Sequence, residues 1–140
     1  MEIKDKVCSF EQSVQLHELG IKPERSDLRW FKVWDKKTGE LFGIYLHHIN
    51  PYNPKFYRYL EYHAFDVAEL YMGLEELSSN IYYSYIGWTY VTDEDKFSDI
   101  YPTQAQCAAA FMIHLFQSKL ISVHRVNDQI NKISRSPLNS

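Results

Sequence analysis

Apolar residues recur at helical spacing in three stretches of the chain, and a capping signal precedes each stretch. In the second stretch Val67, Leu70, Leu74 and Leu77 step by three or four positions, which places them on one face of a helix. Each stretch opens with a Ser, Asp or Thr that is followed three residues later by Gln or Glu, the pattern of a capping box. The three pairs are Ser9 with Gln12, Asp66 with Glu69, and Thr103 with Gln106. The pattern predicts three helices.

Segments rich in aromatic and β-branched residues predict strands between and after the first two helices. Residues 28–34 and 41–49 flank a turn that contains Gly39, which is typical of an antiparallel hairpin. A further strand region covers residues 81–92, where Gly87 predicts a bulge or a tight turn that splits the region in two. The predicted architecture is therefore α+β.

The third helix is nearly apolar on all sides between Ala105 and Phe116, so we expect it to be the most buried element. Apolar spacing continues to Ile133 without Gly or Pro and predicts a helix that runs past residue 130. The polar pair Asn127-Asp128 favours a break instead.

Together these elements predict a single α+β domain over residues 1–125, with a small antiparallel sheet packed by three helices. The last helix is expected to be long and Ala-rich. Residues 126–140 are expected to form a helical extension or a frayed C-terminal tail.

Composition agrees with a globular chain. It has 140 residues, of which 45% are hydrophobic and 24% charged. Residues 100–117, which lie in the longest uncharged run of the second half, include too many polar residues for a membrane span. No apolar stretch follows the N-terminus, which predicts no secretion signal, and two cysteines are too few for a disulfide scaffold. We therefore expect a protein of the reducing cytoplasm that does not associate with membranes.

The predicted strands are apolar on both faces. In residues 41–49 one face carries Phe42, Ile44 and Leu46, and the opposite face carries Leu41 and Tyr45. A sheet with one face in water would alternate apolar and polar residues. Two explanations remain open: a homo-oligomer or partner covers one face, or long loops fold over it.

Charge is unevenly distributed, although the formal net charge is only −3. Residues 61–100 carry nine Asp or Glu and a single Lys, a balance of −8. This block disfavours nucleic-acid binding and is either a solvated surface or a contact for a basic partner. The candidate protein-binding residues are Trp88, Tyr90, Asp93, Glu94, Asp95 and Asp99.

A second class of function, nucleic-acid binding, is suggested by aromatic residues interleaved with basic ones. Stacked rings beside Lys and Arg are typical of single-strand binding surfaces. The residues in question are Tyr52, Lys55, Tyr57, Arg58 and Tyr59.

No motif indicates catalysis or metal binding. His47 and His48 are adjacent on a predicted strand and point to opposite faces. Cys107 could be a nucleophile near a helix start, but its alanine neighbours are typical of core. A phosphate loop and a nucleophile elbow are both missing. We therefore expect no metal, no cofactor and no enzymatic activity, with a small enzyme of unknown class as an alternative and any small-molecule ligand unknown.

Four segments, taken in order, resemble small uncharacterised proteins of bacteriophages and mobile elements in Bacteroidetes. They are SFEQSVQLHELGI, YHAFDVAELYMGL, WTYVTDED and TQAQCAAAFMIHLFQSKLI, and the likeness covers about residues 8–121 as a pattern of elements. The resemblance implies an origin and a fold and supplies no catalytic residues. It leads us to expect a phage-derived accessory protein of the bacterial host cytoplasm. Such a protein would act through protein–protein contact, by self-association, as a virion component, or as an inhibitor of a host or defence factor.

Overall fold

The computed structural model describes residues 2–24, 26–92 and 96–134, and within these ranges the predicted α+β class is confirmed. After a short 3-10 helix at Ile3–Lys6, the helices are α1 (Phe10–Glu18), α2 (Val67–Gly73), α3 (Glu76–Ser79), α4 (Gln104–Gln117) and α5 (Val123–Ser134). The strands are β1 (Arg29–Asp35), β2 (Leu41–His47), β3 (Tyr57–His63), β4 (Ile81–Ser84) and β5 (Gly87–Tyr90).

β1, β2 and β3 form an antiparallel sheet in the order β2-β1-β3. β1 and β2 make the predicted hairpin, in which Phe31 stands opposite Tyr45. β3 lies in the aromatic segment, for which the sequence pattern predicts no strand, and it places Glu61 opposite Phe31 on the other side. Both β2 and β3 are therefore edge strands.

The strand region at residues 81–92 forms a separate two-stranded sheet, β4-β5, rather than joining the first sheet. As predicted, the strand is split ahead of Gly87, which has a φ of 142°. A Cβ at this position would lie 2.7 Å from the Tyr101 carbonyl oxygen, so the chain needs glycine there.

α4 is the centre of the main core. Eight of its fourteen residues are buried, and the ring of Phe111 stacks on Tyr90 of β5 at 4.5 Å between centroids. α1, α2, α3 and β5 all contact α4. The three predicted helix starts are confirmed, because the side chains of Ser9, Asp66 and Thr103 each accept a hydrogen bond from the backbone N–H three residues later.

The expected continuous C-terminal helix is wrong, and so is the expected break at Asn127-Asp128. α4 ends at Gln117, where Lys119 adopts a left-handed φ of 59°. The N–H groups of Lys119 and Leu120 donate to the carbonyls of Phe116 and Leu115, which closes the helix end in a Schellman arrangement. Glycine usually occupies the left-handed position of this arrangement. Because Lys119 occupies it here, the sequence pattern does not indicate that the helix ends at this point.

α5 packs onto the same core as the other helices. Val126 and Ile130 are buried against α2, where Gly73 provides the space for them. Asn127 continues the helix and uses its side chain as a bridge, because its Nδ2 donates to the Gly20 carbonyl and its Oδ1 accepts from the Lys22 N–H. The domain limit at residue 125 stays a prediction, and residues 135–140 lie outside the described ranges.

No helix within the described ranges is both long enough and apolar enough to cross a membrane.

Loss of the α4 cap should destabilise the protein. The Thr103→Ala change leaves the Gln106 N–H without its Oγ1 acceptor, which typically costs about 1 kcal/mol of unfolding free energy. Thr103→Ser keeps the acceptor and serves as the control. Urea denaturation with an equal midpoint for both variants would contradict the assignment of this cap.

α5 should unfold together with the rest of the core. Ile130 is 3% exposed, so Ile130→Ala should cost about 2 kcal/mol or more through lost burial and a residual cavity. Leu120→Ala is the matched control, because Leu120 is 62% exposed and its truncation should change stability by no more than about 0.5 kcal/mol. Similar denaturation midpoints for the two variants would show that α5 does not share the cooperative unit.

Candidate functional site

The three-stranded sheet meets the helices at one end. There the ring of Tyr62 packs edge-on against Phe10 and His17, with centroids 5.7 and 5.3 Å away. The indole Nε1 of Trp30 donates to the Cys8 carbonyl at 3.0 Å. The remaining length of the strands extends away from this attachment.

One face of the sheet, here called the covered face, lies under a loop. Phe31 and Val33 on this face are fully buried. Tyr52, from the loop before β3, packs its ring 5.7 Å from Phe31 and hydrogen-bonds the His47 Nε2 through its hydroxyl at 2.9 Å. Of the two explanations for two-faced apolar strands, loop coverage therefore applies to this face.

The opposite face, here called the open face, stays in solvent beyond the attachment to the helices. At its centre the Trp34 ring lies beneath two cations, with Lys32 Nζ 5.4 Å and the Arg58 guanidinium carbon 4.5 Å from the ring centroid. Three exposed apolar side chains surround this group: Leu41 (55% exposed), Ile44 (39%) and Leu60 (47%).

The two edges of the sheet differ in charge. β3 carries Arg58 and Glu61, which are the kind of charged residues that discourage edge-to-edge pairing. β2 has the sequence LFGIYLH, without Lys, Arg, Asp, Glu or Pro. The edge of β2 is therefore apolar and lacks the charges and the proline that commonly protect an edge strand.

A bulge fixes the shape of β2. The register shifts between Val33 and Trp34, so that Phe42 is the extra residue on β2. The Tyr45 ring lies across Gly43 and its hydroxyl donates to the Phe42 carbonyl at 3.0 Å. A Cβ at Gly43 would come within 2.5 Å of that hydroxyl. From Gly43 to His47 the strand pairs with β1 in a regular register.

The residues predicted to contact a protein partner lie on and after β5. Tyr90 stacks on Phe111 of the core, and Trp88 is partly buried and pairs through its backbone with Tyr101. Asp99 is exposed, whereas Asp93, Glu94 and Asp95 lie outside the described residues. The two aromatic residues thus pack toward the core, and the acidic contact stays a prediction.

The five residues of the nucleic-acid alternative do not share one surface. Tyr52, Tyr57 and Tyr59 pack among themselves over the covered face, and burial raises the pKa of Tyr52 above its usual value. Arg58 lies on the open face over Trp34. Lys55 stands in the exposed loop before β3. Arg58 and the rings of Tyr52 and Tyr59 thus lie on opposite faces of the sheet, and the nucleic-acid alternative stays a prediction.

Both cysteines are buried free thiols. Burial raises the pKa of Cys8 to about 11 and that of Cys107 to about 12. The Cys8 Sγ lies 3.2 Å from the Ser13 hydroxyl. Neither thiol has the lowered pKa and access that a nucleophile needs. Within the described ranges, no three His, Cys, Asp or Glu side chains converge in a way that could hold a metal ion.

Comparison with known proteins finds no matching family model, no matching curated protein and no matching solved structure. The resemblance to phage and mobile-element proteins therefore stays a prediction.

The buried thiols should resist alkylation in the native protein. At pH 8, a thiol whose pKa is raised from 9.0 to about 11 presents roughly a hundredfold less thiolate than an unshifted one. Iodoacetamide should thus modify neither cysteine until denaturant is added, as read by intact mass. Rapid modification of the folded protein at pH 8 would place a thiol at the surface.

Proposed function

We propose that this chain is a binding protein that works through protein–protein contact, and that its contact is self-association along the edge of β2. The observation that carries the proposal is the uncharged β2 edge beside the exposed side chains of the open face. Unprotected edge strands pair readily with another strand.

A second copy of the chain fits this edge better than a charged partner does. β2 offers backbone groups and apolar side chains and no charge for an oppositely charged surface to match. Two identical antiparallel edges complement one another around a two-fold axis, which is the commonest symmetry of protein dimers.

Pairing of two β2 strands would also enlarge the open face. It would bring Ile44 and Leu41 of each copy beside those of the other and remove part of their exposed surface from water. Of the contact roles expected from the sequence, self-association is the one that this edge supports.

Light scattering after size exclusion should give twice the monomer mass of 16.6 kDa at micromolar concentration. Ile44→Lys places a charge on the β2 edge and should weaken the dimer at least about tenfold, equivalent to about 1.4 kcal/mol.

Leu60→Lys is the matched control. Leu60 and Ile44 both stand opposite Lys32 on the open face, but Leu60 belongs to β3. The control should remain dimeric. A monomeric parent protein would overturn the proposal. Equal dissociation of the two variant dimers would show that the copies meet at the centre of the open face rather than along the β2 edge.

A further inference from the structure

A serine, a histidine and a glutamate are linked by hydrogen bonds where the β3 edge meets the helices. The Ser26 hydroxyl lies 2.8 Å from Nδ1 of His63, and Oε2 of Glu69 lies 2.7 Å from Nε2 of the same ring. This is the order of nucleophile, base and orienting carboxylate found in hydrolases that use an acyl-serine intermediate.

With Glu69 ionised, the hydrogen bonds select one tautomer of a neutral His63 ring. An ionised carboxylate only accepts, so the His63 Nε2 donates to Glu69. The Nδ1 is then free to accept the proton of the Ser26 hydroxyl. In chymotrypsin-type enzymes Nε2 of the histidine faces the serine and Nδ1 faces the carboxylate, whereas here Nδ1 faces the serine and Nε2 faces the carboxylate. Either nitrogen is a competent base.

Glu69 and His63 are both held in place. The second oxygen of Glu69, Oε1, accepts from the Asp66 N–H in the capping box of α2. The His63 ring stacks edge-on against Phe65 at 4.6 Å, and its side chain is 11% exposed. A positioned base of this kind needs no reorganisation before it takes a proton.

A cleft of about 230 Å³ adjoins the pair, and its lining includes Ser26, His63, Ile21, Pro23 and Phe65. Arg29, which stands directly opposite His63 across the strands, lines it as well. The Nε of Arg29 is buried and has no hydrogen-bond partner among the described residues. The cleft thus combines an apolar wall with an ion pair, because Arg29 Nη1 donates to Oε2 of Glu61 at 3.1 Å and Glu61 also lines the cleft. Its volume is smaller than that of a drug-sized site.

The geometry points to a second activity for this chain: hydrolysis of an ester of a short acyl chain, with Ser26 as nucleophile, His63 as general base and Glu69 as the residue that positions His63. The Arg29 guanidinium lies beside the cleft and is paired with Glu61, so it contributes only part of its charge to the oxyanion that forms during acyl transfer.

The reaction balances with water as the second substrate. The Ser26 oxygen bonds to the carbonyl carbon while its proton passes to the His63 Nδ1, and that proton then goes to the alcohol oxygen as the ester C–O bond breaks. Water attacks the acyl-serine, gives its proton to the His63 Nδ1, and releases the carboxylic acid as Ser26 regains a proton.

A fluorophosphonate probe tests the assignment directly, because it forms a stable phosphoryl adduct with an activated serine and releases fluoride. Intact mass and peptide mapping should show one adduct, on Ser26, and Ser26→Ala should abolish it. Ser84→Ala removes an exposed serine on β4 and is the matched control, which should label as the parent protein does. His63→Gln should slow labelling at least about 100-fold.

Glu69→Gln separates positioning from folding. The amide retains an acceptor oxygen for the Asp66 N–H, so the helix start survives, but it no longer holds His63 in the required tautomer. Labelling by this variant should be slower, and its dependence on pH should differ from that of the parent protein, because the amide does not hold the required tautomer of His63. Absence of an adduct at millimolar probe, or an adduct that persists in Ser26→Ala, would overturn the inference. The same experiment tests the sequence-based expectation that the chain is not an enzyme.

Discussion

The ring of Phe31 is buried at the centre of the three-stranded sheet, and its aromatic neighbours among the described residues come from strands and from the loop before β3. Among the described residues, the contacts between this sheet and the helical part of the protein lie at one end, near Tyr62, Trp30 and His63, so the rest of its length must find other cover. Tyr52 provides that cover on one face, together with Tyr59 and His47. A buried aromatic ring contributes several kcal/mol of transfer free energy. This contact therefore stabilises the loop before β3 and leaves the opposite face open.

The sequence predicted the features that depend on neighbouring residues. The caps at Ser9, Asp66 and Thr103 are local hydrogen bonds between positions three apart, and all three form. The β1–β2 hairpin and the split ahead of Gly87 also depend on short spacings and on the conformational freedom of glycine. Such patterns can be interpreted without knowledge of the tertiary structure.

The features that the sequence pattern did not predict depend on contacts between residues far apart in the chain, or on a backbone conformation that no glycine marks. Lys119 ends α4 in a conformation that glycine usually adopts, so the continuous apolar spacing was misleading. β3 contains both tyrosines and charged residues without a regular alternation, and its strand conformation follows from pairing with β1. Ser26 and His63 are 37 residues apart, and the role of Glu69 in a capping box conceals its second contact.

The two proposed surfaces occupy opposite edges of one sheet, which makes them physically independent. Self-association would use the β2 edge, whereas Ser26 and His63 face the cleft beside β3. β1 lies between the two, and its Arg29 stands opposite both His47 and His63. Pairing of β2 strands would thus leave the cleft accessible. Ile44 stands opposite Lys32, whereas His63 stands opposite Arg29, and the two side chains point to different faces of the sheet. A change at Ile44 should therefore alter assembly without altering the reactivity of Ser26.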